Sequence, residues 1–219
     1  MQGDAIVVEE HHRRAGRGIC EHLLAELQNT DNRYVITVAG ESGSGKSETA
    51  QALADELVRH DIQCRILQQD DYFVHPPRSN DRARREDISW VGPQEVRLDV
   101  LDANLQEFVG GATQVVKPLV VYERDEVVEE TLLLEKAQAL IAEGTYTTLL
   151  ANVDTRVFID RTYLETRAHR EKRARHVSEL DPFIDRVLAI EHEIIASHKR
   201  DADLIVATDY TVSVPSKCV

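Results

Sequence analysis

The sequence predicts a single α/β domain, a five-stranded parallel sheet layered between helices, and three observations predict it. Apolar β-branched runs alternate with stretches of helical periodicity along most of the chain, the pattern of parallel strands joined by helical crossovers. One such junction, Gly40-Glu41-Ser42-Gly43-Ser44-Gly45-Lys46-Ser47, fits the phosphate-binding pattern GxxxxGK[ST] without a mismatch. At 219 residues the chain is long enough for one sizeable core.

The junction has the right neighbours. Residues 34–39 form an apolar run suited to a strand buried on both faces, and residues 47–60 carry apolar positions at helical spacing. The glycines let the backbone turn tightly and aim its N–H groups at one anion, and the helix start adds partial positive charge. Lys46 reaches the β- and γ-phosphates, and the Ser47 hydroxyl holds a Mg²⁺ that bridges them. The loop from Gly40 to Ser47, with Glu48 behind it, is therefore the expected nucleotide-binding set.

The other elements follow in order. Residues 1–14 suggest a short edge element leading into a helix, and Ile19, Leu23, Leu24 and Leu27 mark a packing helix over 18–28. The His11–His12 pair is not expected to bind metal, because adjacent side chains diverge and no further ligand group lies nearby in sequence. Residues 62–68 read as a second strand, running into Gln69-Asp70-Asp71-Tyr72-Phe73, with acids where open α/β sheets place their ligands. Residues 74–87 turn polar and basic, with Arg78, Arg82, Arg84 and Arg85, and read as a long functional loop. Helical periodicity returns over 93–109, and 114–122 with 126–134 look like the strands of a small excursion. Residues 137–142 are a buried-type strand delivering Glu143 to the place where a nucleotide site holds its metal. A strand over 156–160 precedes a helix over 162–176 in which Arg167, Arg170 and, less closely, Arg173 share a face, placing mobile cations where phosphoryl transfer needs them. An amphipathic helix over 180–199 and a fifth core strand over 202–207 complete the domain.

Composition excludes several classes. A formal net charge of -13 argues against a nucleic-acid partner, whose phosphates are bound by excess Lys and Arg. Cys20, Cys64 and Cys218 lie far apart with no CxxC pair, so neither a disulfide framework nor a zinc site is expected, and a reduced, cytoplasmic setting is the simplest inference. No leader-like apolar segment and no membrane-length apolar run is present, so no membrane partner is expected. A homo-oligomer is allowed.

In this order the motifs resemble the uridine kinase and phosphoribulokinase family of P-loop kinases. The resemblance spans 34–206: the loop at 40–47, a strand ending in Gln-Asp-x-aromatic-aromatic at 69–73, Glu143-Gly144, an arginine-bearing helix at 167–173, and an Ala-Asp-hydrophobic closing strand at 202–205. It implies a P-loop NTPase fold, three-layer α/β/α with a helical lid, and ATP- and Mg²⁺-dependent transfer to a small-molecule hydroxyl acceptor. By it Asp70 is the catalytic acid that deprotonates the acceptor, with Asp71 as alternative. Ser47, Glu143 and Asp70 serve the metal, and Arg167 and Arg170 are lid arginines acting with Lys46 on the transferred group. The expected boundaries are a packing segment over 1–30, a kinase domain over 31–210 with a substrate loop at about 71–92 and a lid at about 161–178, and a tail over 211–219.

The acceptor pocket departs from uridine kinases. Where they carry Asp-His-Pro-Asp this chain has Trp90-Val91-Gly92-Pro93-Gln94, and where they carry Tyr-Asp-Phe it has Val120-Val121-Tyr122-Glu123-Arg124. Arg78, Arg82, Arg84, Arg85 and Arg124 point instead to an anionic or sugar-like acceptor. The alternatives are a uridine or cytidine kinase proper, an NTP hydrolase, which is disfavoured because the guanine-reading Asn-Lys-x-Asp is missing, and a non-catalytic nucleotide sensor.

Overall fold

The computed structural model describes residues 6–166 and 181–215. Within them the strands are β1 (Tyr34–Gly40), β2 (Cys64–Gln68), β3 (Gln114–Val121), β4 (Glu126–Leu133), β5 (Ala139–Gly144), β6 (Thr155–Ile159), β7 (Leu204–Val206) and β8 (Val212–Ser213). The α-helices are α1 (Glu10–Asn29), α2 (Lys46–Arg59), α3 (Pro77–Glu86), α4 (Leu98–Val109) and α5 (Pro182–Ala196). The main sheet has the order β2-β5-β1-β6-β7-β8. Its first five members are parallel, as expected, and β8, in the segment drawn as a tail, adds an antiparallel edge to β7.

Every residue of β1 is buried, and its alternating side chains feed two cores. Ile36 and Val38 face Ile19, Leu23, Leu53 and Leu57 of α1 and α2. Val35 and Ala39 face the layer containing Leu101, Leu105 and Phe108 of α4, Tyr72, Tyr146 and Ile195. The register then sets the site: β5 lies between β1 and β2, with Val38 opposite Glu143 and Gln68 opposite the same residue. The phosphate loop, the end of β5 and the end of β2 therefore converge at the carboxyl edge of the sheet, where open α/β sheets bind ligands.

Several expectations need correction. No strand occurs over residues 6–9; α1 starts at Glu10, earlier than apolar spacing suggests, because its first turn is polar and is fixed by a capping box between Glu9 and His12. Residues 77–86, expected to be loop, are helical. Pro77 sits in the first turn, where its missing N–H costs nothing, and Arg85 pairs with Asp81 one turn back at 2.8 Å. With one apolar residue, Ala83, this helix carries no hydrophobic period to read. The helix expected over 93–109 is interrupted: Pro93–Glu95 is a 3-10 turn, and α4 begins at Leu98. β3 and β4 form the expected excursion, a separate antiparallel hairpin.

Candidate active site

The loop after β1 is built on glycine. Gly45 has φ 94°, and a Cβ there would lie 3.2 Å from His12 Nε2, so the first turn of α1 backs directly on the loop. A Cβ on Gly40 would come within 2.9 Å of Ser44 Oγ and 3.0 Å of the Ile159 carbonyl. Lys46 opens α2 and donates from Nζ to the Glu41 carbonyl at 3.0 Å, which folds its ammonium over the loop. The main-chain amides of the loop and the start of α2 form the anion-binding geometry expected of a helix N-terminus.

Ser47 Oγ donates to Glu143 Oε1 at 3.0 Å. Glu143 is buried, and its pKa is pushed up to about 7, first by burial and next by the charge of Asp70, against the pull of Lys46 and the Ser47 bond. Gly144 follows because nothing larger fits: a Cβ there would lie 2.3 Å from Gln69 Cβ. Gln69 Oε1 in turn accepts from the Tyr146 amide at 2.6 Å, stapling the ends of β2 and β5 together. The donor set of hydroxyl and carboxylate oxygens suits a hard divalent cation such as Mg²⁺.

The two adjacent acids after β2 have opposite surroundings. Asp71 is buried, accepting from Lys117 Nζ at 2.8 Å and from the Val120 amide at 3.0 Å, and so clamps the β3–β4 hairpin to the domain. Asp70 is exposed and close enough to Glu143 to raise its pKa. Of the pair, Asp70 alone is open to solvent.

Other predicted residues are placed differently from one another. Glu41 enters the loop through its main chain, while its carboxylate is 2.6 Å from both the Tyr163 amide and His192 Nδ1, joining the loop to the segment after β6 and to α5. The Ser42 carbonyl accepts from Thr166 Oγ1 at 3.1 Å. Ser44 and Glu48 are buried beneath the loop. Arg167, Arg170 and Arg173, with most of the helix expected over 162–176, lie outside the described residues. Glu9, His11 and His12 do gather ligand atoms within 4.8 Å of one another, which sequence spacing argued against, because capping brings Glu9 over the first turn. His12 Nδ1 already accepts the Glu9 amide there, at 3.1 Å.

Sequence reasoning missed one cluster. Arg84 Nε is 2.5 Å from Glu95 Oε2 and its Nη2 is 3.0 Å from Glu191 Oε1. Asn80 donates to Glu95 at 2.5 Å and accepts from Trp90 Nε1 at 3.0 Å. Burial raises the pKa of Glu191, which also feels the charges of Arg84, Glu95 and Lys46, so the cluster adjoins the phosphate loop. The available signal was Glu191 itself, an acid on the apolar face that Val187, Leu188 and Ile195 trace along α5.

Comparison with known proteins agrees with this geometry. The sequence profile of the Phosphoribulokinase / Uridine kinase family matches residues 35–214. The chain is 30% identical over 196 residues to the bifunctional alpha-galactosidase/sucrose kinase of Mediterraneibacter gnavus, covering 84% of this chain but only 21% of that longer protein. It is 29% identical over 191 residues to the uridine kinase of Bacillus mycoides, covering 81% of this chain and 86% of the relative. Among solved structures, phosphoribulokinase from Rhodobacter spheroides superposes with a TM-score of 0.60 at 15% identity, over 81% of this chain and 71% of that one. D-glycerate 3-kinase from Cryptococcus neoformans gives 0.54 at 12% identity, over 95% and 98%. With a P-loop tied by Ser47 to a strand-end glutamate and a profile match over most of its length, the chain belongs to the phosphoribulokinase / uridine kinase family of kinases.

Proposed function

We propose that the chain is an ATP- and Mg²⁺-dependent kinase that transfers the γ-phosphoryl group to a hydroxyl of a small molecule. The observation that carries this reading is the junction of Ser47, Glu143 and Asp70: two oxygen ligands bonded together beside the phosphate loop, and an exposed carboxylate adjoining them. In this reading the amides of 40–47 bind the phosphates, and Lys46 leaves the Glu41 carbonyl to neutralise charge on the migrating group. Ser47 and Glu143, with Asp70 beside them, would hold Mg²⁺, which would supply neutralisation of the phosphate charge.

Asp70 accepts the proton of the acceptor hydroxyl as the new P–O bond forms, because an alcohol is a poor nucleophile at neutral pH. By the family's pattern Arg167 and Arg170 would act on the transferred group and Arg173 on the nucleotide; all three lie outside the described residues. The setting fits a cytoplasmic metabolite enzyme, and no helix among the described residues is long and apolar enough to cross a membrane. The test is a coupled ADP-release assay with and without acceptors, using Asp70→Asn as the blank. Phosphate release equally fast without any acceptor would turn the reading to a hydrolase.

A further inference from the structure

Resting on the kinase reading above, and within it on nucleotide binding at the phosphate loop, we propose that Glu41 is a positioning residue: its carboxylate, turned out of the loop, fastens the loop's first turn to the segment after β6 and to α5, and so fixes the amides that meet the triphosphate. An acid in a loop that binds a triphosphate is costly where it stands, because like charges at close range repel. Here the residue is buried and its carboxylate is bonded on the side away from the loop's own amides. One oxygen accepts the Tyr163 amide and the other pairs with His192 Nδ1, each at 2.6 Å. A carboxylate only accepts, so Nδ1 carries the hydrogen. The pattern GxxxxGK[ST] leaves position 41 open, and the partners that give it a role lie 122 and 151 residues away.

Both anchors are themselves held. The turn over 162–166 closes on itself: Glu165 accepts from the Thr162 amide at 2.8 Å and from its hydroxyl at 3.0 Å, and the Thr166 amide donates to the Thr162 carbonyl at 3.1 Å. α5 is fixed on either side of His192, by Glu191 pairing with Arg84 at 3.0 Å and by Ile195 in the core. A buried side chain pinned between two fixed elements passes their position to its own backbone, whereas an exposed ion pair fixes little.

That backbone organises the rest of the loop. The Glu41 carbonyl accepts the Ser44 amide at 3.1 Å and Lys46 Nζ at 3.0 Å. The next carbonyl, of Ser42, accepts Thr166 Oγ1 at 3.1 Å, a second bond to the same turn. At the other end of the loop Gly45 is backed by His12 of α1. The loop is thus held from both ends, and amides set before the ligand arrives bind it without the cost of ordering them.

The test is equilibrium binding of Mg-ATP and of adenosine, each by competition with a fluorescent ATP analogue, with denaturation of every variant alongside. Glu41→Ala should raise the Kd for ATP about tenfold, leave that for adenosine within about twofold, and leave the number of sites per chain unchanged. Glu41→Gln keeps an acceptor for the Tyr163 amide and should stay within about threefold of wild type. His192→Ala should weaken ATP about threefold alone and no further in the Glu41→Ala background, because the two substitutions remove one shared contact. His192 is partly exposed, so its variant carries the same ATP-against-adenosine comparison should Glu41→Ala not fold. Wild-type ATP affinity in Glu41→Ala overturns the proposal and leaves the kinase reading standing. So does a loss shared equally by adenosine, or a loss of sites at unchanged Kd, which mark a residue that only supports the fold. Effects that multiply in the double variant overturn it as well. A wild-type protein that binds no ATP overturns the proposal and the kinase reading together.

Discussion

Ser47 Oγ and Glu143 Oε1 are bonded across 3.0 Å, joining the first turn of α2 to the end of β5. With its pKa near 7, the Glu143 carboxyl holds a proton for much of the neutral range, and a divalent cation arriving with nucleotide would displace it. Calorimetric titration of Mg-ATP in buffers of different ionisation enthalpy should show release of on the order of half a proton at pH 7, absent in Glu143→Gln. Equal release in both proteins would place the proton elsewhere.

The same shift predicts a pH-dependent stability difference in metal-free protein. The folded value of about 7 lies above the ordinary 4.5, so the folded state binds the extra proton between the two. The carboxyl's contribution is complete below about pH 4.5 and is lost as pH rises through about 7. Glu143→Gln should therefore gain on wild type between acid and mildly alkaline pH, by on the order of 2–3 kcal/mol. Urea denaturation at the two ends of the range measures it, and a difference that does not change with pH would contradict the assignment.

Asp70 and Asp71 should separate activity from stability. Asp70→Asn is expected to lower turnover by about 10²–10⁴-fold while leaving stability within about 0.5 kcal/mol. Asp71→Ala removes the acceptor of both Lys117 and the Val120 amide, and should cost about 2–3 kcal/mol, moderated because Lys117 keeps Glu130 at 3.0 Å. Steady-state kinetics and denaturation of both variants decide the matter; the reverse pattern would exchange the two roles.

The parts legible in the sequence were those written as a local pattern. The loop at 40–47, the buried parallel strands and Glu143 follow from spacing and β-branched runs that need no distant partner. The polar helix α3 did not, because Asn80 and Arg84 turn inward towards Glu95 and Glu191, 15 and 107 residues away at their respective contacts. The partners of Arg84 and Arg85 were not legible for the same reason: a charge run shows its sign, whereas its ion pairs, such as that of Arg85 with Asp181, are set only by tertiary contacts. Asp70 and Asp71 could not be separated in sequence either, since the distinguishing fact is Lys117 on the hairpin.

Lys46 tests the loop itself. Its ammonium is held by a single bond to the Glu41 carbonyl of the loop, so Lys46→Ala should remove a charge without disturbing the fold. Nucleotide affinity should fall at least about tenfold and turnover more, since the charge on the migrating group grows in the transition state. Equilibrium binding of a fluorescent ATP analogue reads the first effect, and wild-type affinity would contradict the position given to Lys46.

The contact between α1 and α2 gives the last prediction, because two glycines on one helix should respond differently to the same methyl group. A Cβ on Gly16 would lie 2.7 Å from the Ala52 carbonyl carbon and 2.8 Å from the Leu53 amide nitrogen, main-chain atoms of α2 that cannot rotate away. A Cβ on Gly18 would meet only the Val212 side chain, at 2.7 Å, on the short edge strand β8. Alanine gains about 1 kcal/mol over glycine in a helix interior, which can offset a yielding side chain but not a forced separation of two helices costing about 1–3 kcal/mol or more. Gly16→Ala should therefore lower stability measurably while Gly18→Ala stays within about 1 kcal/mol of wild type. Because His12, one turn before Gly16, backs on Gly45, the Gly16 variant should also bind ATP more weakly. Equal midpoints and equal ATP affinities for the two variants would mean that α1 does not rest on the backbone of α2 and does not support the loop.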